Sequence, residues 1–408
     1  MVKTPNLERL ANSGMRFARG YADSPRCTPS RAAMFTGHSA ASLHMTFINE
    51  GNRGGGGEPN TKLLPPHALM ELPASEVTIA GYLRKAGYAT AHFGKWHVGR
   101  VDPTQHGFDE SDGPNGNGGP ENVANPNPKQ ALAMTAKGID FMERQARLHR
   151  PFYLHMSHYP SQGEKGGGGG GGKSRNEDFG LQEISAMDST LGQVLDAVER
   201  LGLRGNTYIL YTTDHGTPGR NPPLTGGKGT VWEGGLRVPF ILSGPGIAAG
   251  SCSQVFVSAL DLFPTFAGLA HATTPLPAGL EGGNFESLLF NKGVGVVKRP
   301  REEFVVHFPH YDKDVLGPAS AIILGNYKLI RVYETNQRKL FDLSKDIAEQ
   351  NDLAAQMPGK VAELDGRLNA YLQLVTAQMP VPNPNFDPSK PAELKQGGGK
   401  RGRKKETL

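Results

Sequence analysis

Over residues 181–213 a helical pattern gives way to a β-branched run, and that succession constrains the chain to an α/β fold. Between Leu181 and Leu201, the residues Ile184, Met187, Leu191, Leu195 and Val198 recur at helical spacing, which predicts an amphipathic helix. Thr207-Tyr208-Ile209-Leu210-Tyr211-Thr212-Thr213 follows, β-branched and aromatic throughout, and predicts a buried parallel strand. Parallel strands need a crossover between them, and the helix supplies one. The strand delivers Asp214 and His215 at its C-terminal end, before the turn residue Gly216. Strand ends of that kind are where α/β folds place their chemistry.

Four other segments carry reactive side chains in suggestive company. Ser24-Pro25-Arg26-Cys27-Thr28-Pro29-Ser30-Arg31 holds one of the chain's two cysteines. Pro29 suits a first helical turn, Ser30 to Phe35 continue the helix, and Gly37 ends it. Cys27 then sits at a helix N-terminus, where unpaired amides favour an anion. Arg31, one turn on, can hold an ionised oxygen. Gly87 to Gly99 reads as a short strand, Tyr88 to Phe93, running into a glycine-punctuated loop that presents Lys95 and His97. In Gly226-Gly227-Lys228-Gly229-Thr230 the glycines allow close backbone approach and Lys228 offers a single charge to an anion. The spacing of a nucleotide phosphate loop is absent there. Glu233 and Arg237 stand one helical turn apart and predict a structural ion pair. Pro151 to Pro160 reads as a strand ending in a loop, and its His158 is the general-acid candidate, because histidine titrates near neutral pH.

These segments together resemble the type I sulfatases. Cys27-Thr28-Pro29-Ser30-Arg31 is similar to that family's Cys-x-Pro-x-Arg modification signal. Gly94-Lys95-Trp96-His97-Val98-Gly99 and Gly227-Lys228-Gly229-Thr230 through Glu233-Gly234-Gly235 are similar to two further motifs. The resemblance spans Thr4 to about Leu353. It implies an alkaline-phosphatase-like α/β sandwich, with a central, mostly parallel sheet flanked by helices and a smaller C-terminal antiparallel sheet. The expected division is an α/β domain over 1–298 with its first strand missing, a C-terminal subdomain over 299–380 and a disordered basic tail over 381–408. The implied activity is release of sulfate from an organic, glycan or aryl sulfate. Cys27, oxidised by a formylglycine-generating enzyme to Cα-formylglycine, would be the nucleophile. Lys95, His97, Lys228 and Arg31 would bind the sulfuryl group and the modified residue, and His158 would serve the leaving group. Asp214, His215 and residue 27 would ligate Ca²⁺, with Mg²⁺ as the other cation allowed. His310 is the candidate for sorting substrates. Two alternatives stay open at this point: a phosphonate or phosphodiester hydrolase of the same superfamily, and an inactive sulfatase-like binding protein.

One departure from the family pattern stands out. Sulfatases carry two adjacent aspartates, both metal ligands, on a strand before the segment that resembles Thr4 to Leu10, and no such pair precedes Cys27 here. The expectation is a thin metal site, since Ca²⁺ takes six to eight oxygens, and a sheet lacking one strand. Either the true start lies upstream or the product is damaged. No apolar run reaches membrane-spanning length and no signal peptide opens the chain, so location is left open. The net charge of +5 resides in the tail from Lys395 to Glu406, leaving the rest neutral. A solvated Gly/Lys/Arg tail explains it without nucleic acid. Glycine runs at 54–57 and 166–172 predict flexible surface loops.

Overall fold

The computed structural model describes residues 3–48, 60–116, 131–158, 177–219 and 221–390. The tail from Lys395 and both glycine runs lie outside them. A four-stranded sheet has the order Ile209–Thr212, Phe240–Ser243, Met15–Tyr21, Ser251–Ser258. Its last pair is parallel and the other two are antiparallel. Beside it stands a parallel sheet in the order Glu110–Ser111, Ala89–Gly94, Phe152–Ser157. Helices Ala131–Arg147 and Glu177–Arg200 pack on one another, and Met142 and Val198 form a cluster with Phe152, Leu154 and Ile209 from both sheets. The expected amphipathic helix is therefore present, although Ile184 is exposed.

The strand before Asp214 corrects the sequence reading. It is shorter, Ile209–Thr212, it pairs antiparallel with Phe240–Ser243, and it is half-buried. Its two faces nevertheless meet separate apolar clusters. Ile209 and Tyr211 pack with Leu10 and Leu195, whereas Tyr208 and Leu210 pack with Phe240 and Leu242. Apolar residues on both faces read as a parallel interior strand, but strand direction is not written in composition.

A second, antiparallel sheet runs Arg338–Asp342, Tyr327–Val332, Ala319–Leu324, Phe304–Phe308. Helix Pro358–Leu374 covers one face through Leu364, Leu368, Tyr371 and Leu372. The other face, with Phe304, Val306, Ile330 and Phe341, is buried against Tyr21, Ala33, Leu236 and Leu260 of the main body. The smaller sheet is thus joined to the larger body by a shared core, and it meets the segments on either side of Cys27 and Lys228.

Candidate active site

Helix Cys27–Thr36 begins at residue 27 and ends at Gly37, whose φ of 72° supplies the left-handed cap. Every residue of that helix is buried. Cys27 is therefore buried at a helix N-terminus, as the Pro29 and Gly37 signals predict. Lys95 Nζ donates to Cys27 Sγ at 3.2 Å and Lys228 Nζ donates at 3.4 Å. His215 Nε2 lies 3.1 Å from the same sulfur. His215 Nδ1 faces the Gly216 carbonyl at 2.8 Å, and because a carbonyl only accepts, Nδ1 carries a proton and Nε2 is the ring nitrogen turned toward residue 27.

Different elements deliver these groups. Lys95 follows strand Ala89–Gly94, and its amide donates to Ser157 O of the neighbouring strand at 2.9 Å. Gly94 has a φ of 98°, and a Cβ there would stand 2.1 Å from Ser157 O, so only glycine turns the chain at that point. Lys228 is held by backbone bonds from its amide to Thr217 O and from the Gly229 amide to Pro25 O. Arg31 links these segments. Its Nε donates to Asp214 Oδ2 at 2.9 Å, and its Nη1 donates to Lys95 O and Ser157 Oγ.

The electrostatics favour an anion at residue 27. Burial pushes the Cys27 thiol up and Asp214 adds to that, but His215 and Lys95 outweigh both and carry it well below its ordinary value. Lys95 is depressed, first by burial and then by Arg31 and Lys228. Burial raises Asp214, yet His215, Arg31, Lys95 and Lys228 together hold it far below the carboxylate range. One carboxylate thus faces two lysines and an arginine, and the surplus of positive charge is what an anionic substrate requires.

The remaining expected residues have other recorded partners. His97 is buried with a φ of 60°, and its amide donates to Asn115 O. His158 Nε2 lies 3.2 Å from Thr135 Oγ1, and burial pulls the imidazole down to about 4. Its neighbours Tyr159 and Pro160 fall outside the described residues. His310 Nε2 lies 2.8 Å from Thr46 Oγ1, and its ring stacks on Phe47 with centroids 4.7 Å apart. Burial lowers it to about 3, with His307 adding to the effect. Glu233 and Arg237 do approach, at 3.6 Å, within a larger buried network.

Sequence reasoning missed several neighbours. Ser157 bridges Arg31 to His92 Nε2 at 3.2 Å. Arg26, next to Cys27, forms a bidentate ion pair with Asp312, which stands against Gly229. Arg26 was visible as a charge beside the motif, but Asp312 offered no local signal.

Cys27, Asp214 and His215 place one ligand atom each within 4.8 Å of one another. The three do not by themselves fit a hard cation. They offer a sulfur, an imidazole and one carboxylate, one of whose oxygens already accepts from Arg31.

The model of the sulfatase family matches residues 1–272, and that of the N-sulphoglucosamine sulphohydrolase C-terminal region matches 227–378. The chain belongs to the sulfatase family. Human arylsulfatase A is 31% identical, with 92% of this chain and 83% of that protein covered. Human N-acetylgalactosamine-6-sulfatase is also 31% identical, over 69% of this chain, and the chain spans 60% of that relative's length. The fold resembles that of a sulfatase from Pseudoalteromonas sp. with a TM-score of 0.67, 21% identity, and 92% and 85% of the two chains covered. It also resembles the phosphonate monoester hydrolase of Agrobacterium radiobacter, with a TM-score of 0.66, 19% identity, and 94% and 95% covered. Sulfatases are generally formylglycine- and metal-dependent.

Proposed function

We propose that this chain hydrolyses sulfate esters of a glycan or aryl alcohol, with residue 27 as the nucleophile after a maturation enzyme oxidises its cysteine to formylglycine. The observation that carries this reading is the convergence of Lys95 Nζ, Lys228 Nζ and His215 Nε2 on Cys27 Sγ, at 3.2, 3.4 and 3.1 Å. Sγ stands where the oxygens of the oxidised side chain would be. As its hydrate, formylglycine supplies one hydroxyl to attack sulfur and a second to expel the bound sulfate.

The chain's own groups do the rest. Lys95 and Lys228 hold the charged sulfuryl oxygens from two sides, in a buried site where fixed charges act strongly. Arg31 fixes Asp214 and the Lys95 backbone, so the cations keep their places. His215, with Nε2 toward residue 27, takes the proton of the attacking group and stands as an imidazolium beside the anion that results. His97 and His158 are assigned to the sulfate and leaving-group side. Burial keeps His158 neutral, and the negative charge of a bound sulfate ester raises it toward the range useful for a general acid. His310, two residues from the Arg26–Asp312 pair, is assigned to the alcohol portion. Asp214 is the one firm carboxylate for a divalent cation, and Ca²⁺ needs further oxygen donors beyond these residues.

The test is expression with a formylglycine-generating enzyme. The tryptic peptide holding residue 27 should show aldehyde in place of thiol. Sulfate release from an aryl sulfate should exceed hydrolysis of the matched phosphate ester, and Cys27→Ala should abolish it. Full activity in Cys27→Ala overturns the reading. Faster phosphate hydrolysis favours the phosphonate or phosphodiester hydrolase instead, and binding without turnover favours the inactive binding protein.

A further inference from the structure

The loop that carries Lys228 is fastened at both ends by three consecutive residues from the smaller sheet's side of the molecule. At the loop's start, Thr225 Oγ1 donates to Ala348 O at 2.5 Å and accepts from Gln350 Nε2 at 2.9 Å. At its end, the Glu233 amide donates to Glu349 Oε2 at 2.7 Å. The two carboxylates of Glu233 and Glu349 then share Lys328 Nζ, at 3.0 and 2.8 Å. Tyr21 Oη donates to the other oxygen of Glu233. Glu233 and Lys328 are wholly buried and Glu349 nearly so.

Stability alone is a poor explanation for this arrangement. Taking two carboxylates and one ammonium out of water costs about as much as their attraction returns, so an apolar trio of the same volume would hold the sheet as well. Glu349 also has a φ of 54°, a left-handed backbone that strains any residue with a Cβ. Strain and buried charge both fall on the segment that grips the Lys228 loop. Within the loop, the bonds of Lys228 N to Thr217 O and of Gly229 N to Pro25 O fix its middle, and the Gly234 amide closes on Thr225 O at 2.7 Å while Asn221 Nδ2 donates to Gly226 O. Ala348 to Gln350 then hold these closed ends against the smaller sheet's side of the molecule.

We propose that Glu349, supported by Lys328, is a positioning residue for sulfuryl transfer, holding the Thr225–Glu233 loop so that Lys228 reaches residue 27. This rests on the sulfatase reading. Glu349 acts through Lys228 and touches no reacting atom. Removing it leaves Lys328 still paired with Glu233, which Arg237 also faces at 3.6 Å, so the buried ammonium keeps a carboxylate partner.

The experiment is a double-mutant cycle on aryl sulfate turnover, with crystal structures of the same proteins. Glu349→Ala should lower kcat by roughly 10- to 100-fold, the loss associated with ångström-scale misplacement. KM should change little, and Glu349→Gln, which restores the acceptor for the Glu233 amide, should recover most of the rate. In a Lys228→Ala background, Glu349→Ala should change kcat by less than about twofold, because the group it positions is gone. The crystal structure of Glu349→Ala should show Lys228 Nζ withdrawn from residue 27. Thr225→Val loosens the other end of the loop without touching the buried charges. It should give a smaller loss with the same dependence on Lys228, and it serves if Glu349→Ala does not fold. Equal losses with and without Lys228, or Lys228 unmoved in the variant structure, overturn the proposal. The structural arm needs no turnover, so failure of the sulfatase reading and failure of this proposal are told apart.

Discussion

At residue 27 the chain concentrates positive charge more than the sequence motifs alone require. Lys95 is fully buried and depressed by burial, which fits an ammonium held against an anion and unsupported by water. Lys95→Gln and Lys228→Gln should each lower kcat by about 10²–10³-fold, the cost of removing one donor to a developing charge. Steady-state kinetics on an aryl sulfate checks this, and a loss confined to KM would show that the lysines bind ground and transition states alike. Cys27, Lys95, Asp214, His215 and Lys228 were legible because each lies in a short string that resembles a sulfatase motif, with glycines or prolines that add a geometric meaning of their own. Ser157, Asp312 and Glu349 were not. Each earns its place only through a partner that is distant in sequence, and nothing in its own neighbourhood announces that partner.

Among the elements, the helix at Cys27 follows from its local signals, while the strand before Asp214 does not. Both faces of Ile209–Thr212 meet apolar clusters, and that pattern is the same for a parallel interior strand and an antiparallel outer one. The loops beyond the strand are locked together by close backbone contact. The Gly216 amide donates to Gly235 O at 2.9 Å, and a Cβ on Gly216 would lie 1.8 Å from Gly234 O. No rotamer relieves a clash with a carbonyl, so Gly216→Ala must push the Asp214 turn away from the Lys228 loop. The expected cost is roughly 1–3 kcal/mol of stability, as for overpacking, together with a fall in kcat. Denaturant unfolding measures the first and turnover the second. Gly205→Ala is the control, since a Cβ there meets nothing within 4 Å. Comparable damage from both would mean that the interlocked glycines have no special role.

Across the whole molecule, histidines buried away from opposite charge tie stability to pH. His92, His155, His307 and His310 are all nearly inaccessible or sunk among aromatic rings, and each is pulled below its ordinary value mainly by burial. His307 is the cleanest case because it lies in the smaller sheet, bonded to Ser320 Oγ at 2.7 Å and to Gln378 O at 3.0 Å. Its folded value is about 4, against about 6.5 for an unfolded histidine. Between those values the unfolded chain holds the proton and the folded chain does not. Its contribution is therefore complete above about pH 6.5 and is lost as pH falls toward 4, with an upper limit of about 3 kcal/mol. Buried carboxylates with raised values, Asp23, Asp112 and Asp314, work in the opposite sense, so the pH profile of the wild type alone does not isolate the effect. The comparison with His307→Gln does isolate it, because the carboxylate effects are common to both proteins. Measured by denaturant unfolding, the stability gap between wild type and His307→Gln should be widest near pH 7.5 and should narrow as pH falls to 5. A gap that stays constant or widens with acid would show that His307 is protonated in the folded protein, and the account of its burial would be wrong.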